Sequence, residues 1–307
     1  YWTIAAETEK GFSADFISVD GKKYVPKSKD ETKATLSKID GPLIVSNYEK
    51  KTKTKNPPPP FVTASMQQTA GAKFKWSAKR TMDAAQSLFS QGLISYHRTD
   101  STRTDPEKVD LIRKKIQEKL GSEYLSETPN LYGPKEASQD AHEAIRPTFE
   151  ITPSTLVPDD AKLLDLIKSR FMASQMASAK FDAAKIEFES GALGFKVTGS
   201  VLQFDGYLKI YGSSGDDVNL PILKIGDEVR VKKYRPKQHF TKAPPRYTEA
   251  AFIKKLEKEG IGRPSTYAPL VETLVKRGYV SRKSTTMFGT EIGILACDYL
   301  DEHFKNL

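Results

Sequence analysis

The 307-residue sequence holds one cysteine, Cys297. That excludes a disulfide framework and a cysteine-built zinc site within these residues, and it fits a reducing compartment. No apolar run approaches the roughly 18 residues a membrane helix needs, so no membrane partner is expected. No signal peptide is legible, although the chain opens within an element at Tyr1-Trp2-Thr3-Ile4 and reads as a fragment. Internal repeats are absent, and the only low-complexity stretch is Pro57-Pro58-Pro59-Pro60. Acidic residues are the minority charge, 39 against 48 Lys and Arg, and the net charge of +9 favours a polyanionic partner. What remains is ordinary: 38% hydrophobic and 28% charged residues, with length for roughly two or three domains.

The patterning divides the chain into four blocks. Residues 1–56 alternate short apolar runs with turns, and Asp20-Gly21 between two such runs signals a hairpin. A short helix is expected over 30–38 and a strand over Pro42-Leu43-Ile44-Val45. The lysine-rich run from Tyr48 to Lys55 and the prolines after it read as one stiff connector. Residues 57–181 turn helical. Thr81 to Gln91 puts Met82, Ala85, Leu88 and Phe89 on one face and stops at Gly92. Thr104-Asp105-Pro106-Glu107 opens a second helix with Val109, Ile112, Ile116 and Leu120 inward, closed by Gly121. Tyr124 to Gln139 is loop-like. Asp159-Asp160 opens a third helix, with Leu163, Leu164, Ile167, Phe171 and Met176 facing a core.

Residues 182–244 return to strands, expected at 185–189, 195–201, 208–211 and 229–231. They share the texture of the first block, so the two pair into one β-rich domain with the helical block inserted. After a second linker, Thr241 to Pro245, the block 245–307 holds an amphipathic helix from Thr248 to Lys258 with Ala251, Phe252 and Leu256 inward. Gly260-Ile261-Gly262 turns the chain. Ser265 or Thr266 then caps a helix carrying Leu270, Val271, Leu274 and Val275, ended by Gly278. From Val231 to Ser284 there are 14 Lys and Arg against 4 Asp and Glu, the most basic window. The fold class expected is α+β and multidomain: a helical, tyrosine-bearing domain inserted in a β-rich domain, then part of a further helical domain.

Chemistry concentrates in Leu93-Ile94-Ser95-Tyr96-His97-Arg98-Thr99-Asp100-Ser101-Thr102-Arg103. A buried lead-in, Leu93 and Ile94, delivers one phenol among His97, Arg98, Asp100 and Arg103. Tyrosine is a poor nucleophile at neutral pH because its free pKa is about 10. A neighbouring guanidinium lowers such a pKa and can also grip a phosphate oxygen. Tyr followed two residues on by Arg thus suits attack on a phosphodiester; on spacing alone it equally suits a surface turn with solvated charges. Gly260-Ile261-Gly262-Arg263-Pro264-Ser265-Thr266 offers backbone N–H groups and hydroxyls at a helix start, a phosphate-binding arrangement. It is no Walker loop, because no Gly-Lys-Ser/Thr follows.

Ser-Tyr-His-Arg-Thr-Asp-Ser-Thr at 95–102 resembles the active-site tyrosine motif of type IA DNA topoisomerases. Three further stretches resemble the same family in the same order: Pro60 to Gln68, Ala141-His142-Glu143-Ala144-Ile145-Arg146-Pro147-Thr148, and Glu259 to Ala268. The resemblance spans most of the chain and covers bacterial and archaeal topoisomerase I and the topoisomerase half of reverse gyrase; His97 leans towards the archaeal and reverse-gyrase branch.

The resemblance implies an ATP-independent isomerase that relaxes negatively supercoiled DNA, with the β-rich domain as a hinge domain and residues 245–307 as part of a helical single-strand DNA-binding domain. Tyr96 would attack one strand and leave a 5′-phosphotyrosyl link, a second strand would pass, and the link would reseal. Arg98 would stabilise charge on the attacked phosphate, and the matching His142 contacts DNA near it. Glu143 and Arg146 orient that loop or pair together. Asp100 supports Arg98 or serves as a turn residue. Arg263, Ser265, Thr266 and Arg277 are implied in contact with the single-stranded backbone, with Gln68 beside the tyrosine pocket. Phe74, Trp76 and Tyr132 are expected in packing rather than base stacking.

Members of the family hold Mg2+ in an acidic domain near the amino end, through a Glu and an Asp-x-Asp-x-Glu. No Asp-x-Asp-x-Glu occurs here; Asp159-Asp160 and Asp216-Asp217 stand at a helix start and a turn. The resemblance therefore implies that the Mg2+ ligands, and the acidic domain normally on the same polypeptide, lie outside this chain. Taken alone, the chain is expected to be inactive in relaxation and to retain weak single-strand binding. Location in the cytoplasm at the nucleoid follows from the same likeness. Three rivals make different predictions. A helix-turn-helix module over Thr248 to Val280 would prefer duplex and ignore Tyr96, and an RNA-handling protein would prefer RNA. A tyrosine recombinase would need dispersed Arg and His and a 3′ link.

Overall fold

A computed structural model describes residues 1–133, 142–148, 155–212 and 220–304. Ala141 and the Asp216-Asp217 pair lie outside the described residues. The chain forms two compact units. The first comprises Tyr1–Asn56, Ser178–Gly206 and Ser213–Ala243, and the second Pro57–Ala177, Tyr207–Gly212 and Pro244–Leu307. The segments 57–177 and 244–307 thus share one unit.

The first unit is built on an antiparallel sheet. Its strands are β1 (Trp2–Thr8), β2 (Ser13–Val19), β3 (Lys22–Lys23), β4 (Leu43–Lys55), β5 (Ala179–Ser190), β6 (Leu193–Phe204), β7 (Glu228–Val229) and β8 (Val231–Gln238). The order is β7-β4-β5-β6-β2-β1-β8, with β3 paired to β2. Residues before Asn56 therefore pair directly with residues after Ser178. Val19 faces Lys22 in register, so Asp20-Gly21 forms the two-residue turn. Both turn residues have positive φ, 50° and 72°, as the twist-matching hairpin turn requires. Helix α1 (Lys29–Leu36) starts at Ser28, whose hydroxyl accepts from the Glu31 N–H. The core beneath the sheet gathers Phe12, Leu43, Val45, Ile186, Phe188, Leu193, Phe195 and Val229.

Two expectations change in these segments. The lysine-rich run is no connector: β4 continues to Lys55, paired with β5 as far as Lys55 opposite Ala179. Strand pairing needs backbone groups rather than apolar side chains, so the polar composition concealed it. The strand expected at 208–211 is a helical turn, α6 (Leu208–Tyr211), within the second unit. Gly206 reverses the chain at φ 49°. Tyr211 and Gly212 N–H then bond the Tyr207 and Leu208 carbonyls, and Arg170 donates to the Tyr211 hydroxyl at 2.5 Å.

The second unit is mainly helical: α2 (Thr63–Phe74), α3 (Ala78–Ser90), α4 (Pro106–Leu120), α5 (Pro158–Ser174), α7 (Glu249–Lys258), α8 (Tyr267–Lys276) and α9 (Glu291–His303), with a hairpin of β9 (Val280–Lys283) and β10 (Thr286–Gly289). Asp105 caps α4, whose Val109, Ile112 and Ile116 are buried. One core packs Phe61, Met66, Ala85, Leu88, Ile94, Ile145, Leu163 and Ile167; another packs Ala64, Ala78, Ile253, Leu256, Tyr267 and Val271. Helix α7 turns in Ile253 and Leu256, while Ala251 is exposed. The longer Ile side chain gains more from burial than the Ala methyl, which sets the rotation of the helix. Trp76 is buried with the Arg80 guanidinium over its ring, and the Tyr132 hydroxyl donates to the Ser174 carbonyl, so both serve packing. Among the described residues no helix is long and apolar enough to cross a membrane.

Candidate active site

Three of the sequence stretches are knitted together by backbone bonds around Tyr96. Helix α3 ends at Gln91, and Gly92, at φ 68°, redirects the chain into buried Leu93 and Ile94. Ile94 bridges Pro147, and Phe61 bridges Ile145. Ser95 N–H donates to the Arg146 carbonyl and Arg146 N–H to the Ser95 hydroxyl, both at 2.9 Å; that hydroxyl donates to the Ala144 carbonyl at 2.7 Å. On the other side, Thr63 at the start of α2 donates its hydroxyl to the His97 carbonyl at 2.7 Å and accepts from the Thr99 N–H at 2.9 Å. Residues flanking the phenol are thus fixed from two directions.

The phenol itself is not buried. Tyr96 is 40% exposed and sits among three rings. His142 stacks on it at 5.5 Å and 27°, Phe89 meets it edge-on at 5.4 Å, and His97 does so at 5.6 Å. Phe89 was expected in the core, but it is 37% exposed and also lies against His97. Its helix-period position gave no sign of this role. His97 is buried, and neither ring nitrogen has a protein hydrogen-bond partner. Burial, then the charge of Arg98, hold its pKa down at about 4. A neutral ring therefore underlies the tyrosine.

His142 is held by its own loop. Arg146, 8% exposed, donates from Nε and Nη2 to the two oxygens of Glu143 at 2.9 and 2.7 Å. That two-bond pair is the orienting arrangement expected of these residues. Asp100 makes no ion pair with Arg98 among the described residues; its charge acts instead on Tyr267 of α8, whose pKa is raised chiefly by burial and then by Glu257.

Arg98 is exposed and lines a cleft of about 580 Å³ of mixed charge, with Ser265, Asp83, Glu272, Lys79, Lys276 and Arg282; Lys79 pairs with Asp83 at 2.7 Å. Sequence reasoning missed the last three of these lining residues; Lys276 and Arg282 lie within the basic window from Val231 to Ser284, whereas Lys79 carried no signal. Glu249, buried at the start of α7, pairs with Arg282 and also accepts from the Ala78 N–H at 2.9 Å. Arg263, Thr266 and Arg277 do not line this cleft. Thr266 stands at the start of α8 without capping it, because its hydroxyl accepts from Arg263 N–H at 2.7 Å and donates to the Arg263 carbonyl. The Arg263 guanidinium folds onto the Gly262 carbonyl at 2.8 Å. Gly262, at φ 80°, lies where a Cβ would come within 3.1 Å of that threonine hydroxyl, so the turn requires glycine. Gln68 reaches Glu257 at 3.4 Å, while the amide of buried Gln67 has no protein partner. Among the described residues no three of His, Cys, Asp and Glu converge on a cation position. The side chains described therefore do not fit a Mg2+ site.

The site thus presents an exposed phenol on a pinned backbone, with an exposed arginine two residues on at the edge of a cleft. A family model described as DNA topoisomerase matches residues 1–307. The chain belongs to the DNA topoisomerase family, on its type IA branch. It is 37% identical to DNA topoisomerase 1 of Haemophilus influenzae and 38% identical to that of Vibrio cholerae, with all of this chain aligned to 37% and 36% of theirs. Full-length topoisomerase I from Thermotoga maritima superposes with a TM-score of 0.82 at 32% identity, covering all of this chain and 52% of that one. The chain spans little more than a third of the length of these two curated relatives.

Proposed function

We propose that Tyr96 is the nucleophile of a DNA strand-cutting and rejoining cycle in the enzyme to which this chain belongs. The exposure of its ring above a backbone pinned at Ser95, His97 and Thr99 supports this reading: the group is presented without being loose. The phenol oxygen bonds the phosphorus and the phosphorus–O3′ bond breaks. The phenol gives up one proton and the departing 3′ oxygen takes one. One phosphoester replaces another, so rejoining needs no ATP. Arg98 stabilises charge on the attacked phosphate. His142, stacked on the tyrosine, contacts the DNA beside that phosphate. Arg263, Ser265, Thr266, Arg277, Gln68 and Asp100 hold the single strand; of these Ser265 lines the cleft beside Arg98. The complete enzyme relaxes negative supercoils at the nucleoid, and its Mg2+ is held by residues other than those described here.

The test is covalent trapping. A labelled single-stranded oligonucleotide is incubated with the enzyme and denatured. The label should stay with protein, through a 5′-phosphate, and Tyr96→Phe should abolish this while leaving single-strand affinity within about twofold. A Tyr96→Phe enzyme that still forms the adduct would sink the assignment. Arg263→Ala should weaken single-strand binding.

A further inference from the structure

The acidic pair that opens α5 reaches across to α3. Pro158 takes the first position of α5, and Val157 before it offers no capping side chain. Acids in such a first turn favour the helix dipole wherever their side chains point. Here both point at α3. Arg80, in its first turn, donates from Nε and Nη2 to the two oxygens of Asp159 at 2.6 and 2.8 Å. Both of those side chains are open to water, so that pair contributes little.

Asp160 is different. It is 3% exposed, and no cation pairs with it among the described residues. The Ser87 hydroxyl donates to its Oδ2 at 2.5 Å, and the Gln91 amide donates to the same oxygen at 3.2 Å. That amide also reaches the Ser87 hydroxyl at 3.1 Å, so the three side chains close a ring. A hydroxyl-to-carboxylate bond of this length is of the charge-assisted kind. A buried carboxylate held only by neutral donors is unfavourable for stability, and apolar side chains would join the two helices without that penalty. What the ring grips is the last turn of α3. Ser87 and Gln91 stand two residues either side of Phe89, whose ring meets Tyr96 edge-on and lies against His97. Just beyond, Leu93 N–H donates to the Leu88 carbonyl at 3.0 Å and Gly92 N–H to the Phe89 carbonyl at 2.9 Å, which closes the helix. The Thr148 hydroxyl donates to the Gly92 carbonyl at 2.8 Å. The rotation of this last turn therefore sets both where Phe89 stands and where the chain leaves for Tyr96.

We infer that, with Tyr96 as the nucleophile proposed above, Asp160 is a positioning residue for it: the buried carboxylate holds the last turn of α3 so that the Phe89 ring limits the directions open to the phenol. Its partners are Ser87 and Gln91, so it acts through Phe89 and not by contact with the reacting atoms. In-line attack depends on orientation steeply enough that a small displacement of a supporting side chain is read in the rate.

The experiment follows covalent adduct formation by the complete enzyme on a saturating single-stranded oligonucleotide, in single turnovers well below the melting temperature. Asp160→Ala should slow the adduct about tenfold while single-strand affinity stays within about twofold. Asp160→Asn keeps an acceptor for Ser87 and should recover most of the rate. Ser87→Ala removes one member of the ring at a less buried position; it should slow the adduct about threefold, and it carries the test if Asp160→Ala does not fold. In a Phe89→Ala background, Asp160→Ala should slow the adduct by less than about twofold more, because the ring it positions is gone. A clamp that only stabilised the fold would lower the melting temperature and leave the rate per folded molecule untouched. That result, or full additivity with Phe89→Ala, overturns the proposal. An adduct that persists in Tyr96→Phe removes the nucleophile and this role with it. An adduct that needs Tyr96 but forms at the parent rate in Asp160→Ala and Ser87→Ala removes Asp160 alone.

Discussion

Removing the Glu249 carboxylate should damage two elements at once. Glu249 is 5% exposed, and its oxygens serve different partners: one accepts from the Ala78 N–H in the first turn of α3, the other pairs with Arg282 on β9. Glu249→Ala leaves a buried N–H without its acceptor, which costs about 1–3 kcal/mol. The Arg282 side chain is 32% exposed, so water screens it and the lost pair adds only about 1 kcal/mol. The sum is about 2–4 kcal/mol, or roughly 5–15 °C in melting temperature for a unit of this size. Glu249→Gln keeps an acceptor for Ala78 and should cost about 1 kcal/mol. Thermal melting with a double-mutant cycle against Arg282→Ala checks the partition, with a coupling of about 1 kcal/mol expected. Because Arg282 lines the cleft with Arg98, single-strand affinity should fall in both variants. If Glu249→Ala melts within about 0.5 kcal/mol of the parent, or if Gln is as harmful as Ala, the reasoning fails.

His97 links stability to acid. Its pKa falls from 6.5 to about 4 on folding, so between those values the unfolded chain binds a proton that the folded one refuses. Stability is therefore complete above about pH 6.5 and declines as pH falls towards 4, by about 2.5 kcal/mol at pH 4.5. His97→Met should lose about 2 kcal/mol less than the parent between pH 7 and 4.5 in urea melts; equal losses would refute the linkage. Phe89→Ala should slow covalent adduct formation about tenfold with little change in single-strand affinity, and Phe89→Tyr should recover most of it. Single-turnover kinetics separate the two, and a binding defect alone would remove Phe89 from the positioning role.

Legibility followed the physics of each signal. Helices with strong apolar periodicity were readable to within a few residues: α3 stops before Gly92 and α4 begins at Asp105. The Asp20-Gly21 turn was readable because two successive residues must adopt positive φ. The far end of β4 was not, since Lys-Thr alternation carries no burial signal and its strand identity comes wholly from β5. Leu208–Tyr211 failed for the opposite reason: four residues of mixed character suit either state, and the Arg170–Tyr211 bond that settles it spans 41 positions. At the site, Tyr96, Arg98 and His142 were legible as residue types in motifs. Phe89 and Lys79 were not, because helix-period arithmetic assigns a face without saying what the face meets; Arg282 was not, because its strand, β9, gave no pattern of its own.

That asymmetry follows from how the site is built. The tyrosine segment satisfies its backbone through Ser95, Thr63 and Thr99, polar residues that any surface turn might carry. Its buried ring does the reverse: the His97 nitrogens lack protein partners, as do the amide atoms of Gln67 on α2, at about 1–3 kcal/mol for each unsatisfied group. A fold under selection for stability alone would place apolar residues there. Local rules are broken and kept within a few residues of each other, which is what the proposed nucleophilic role of Tyr96 requires of a rigid frame. Aromatic contact with Phe89 and His142 then limits the directions open to the Tyr96 ring while its edge stays in solvent. An exposed tyrosine on a mobile turn would lose that limit, and with it the alignment that in-line attack on a phosphodiester demands.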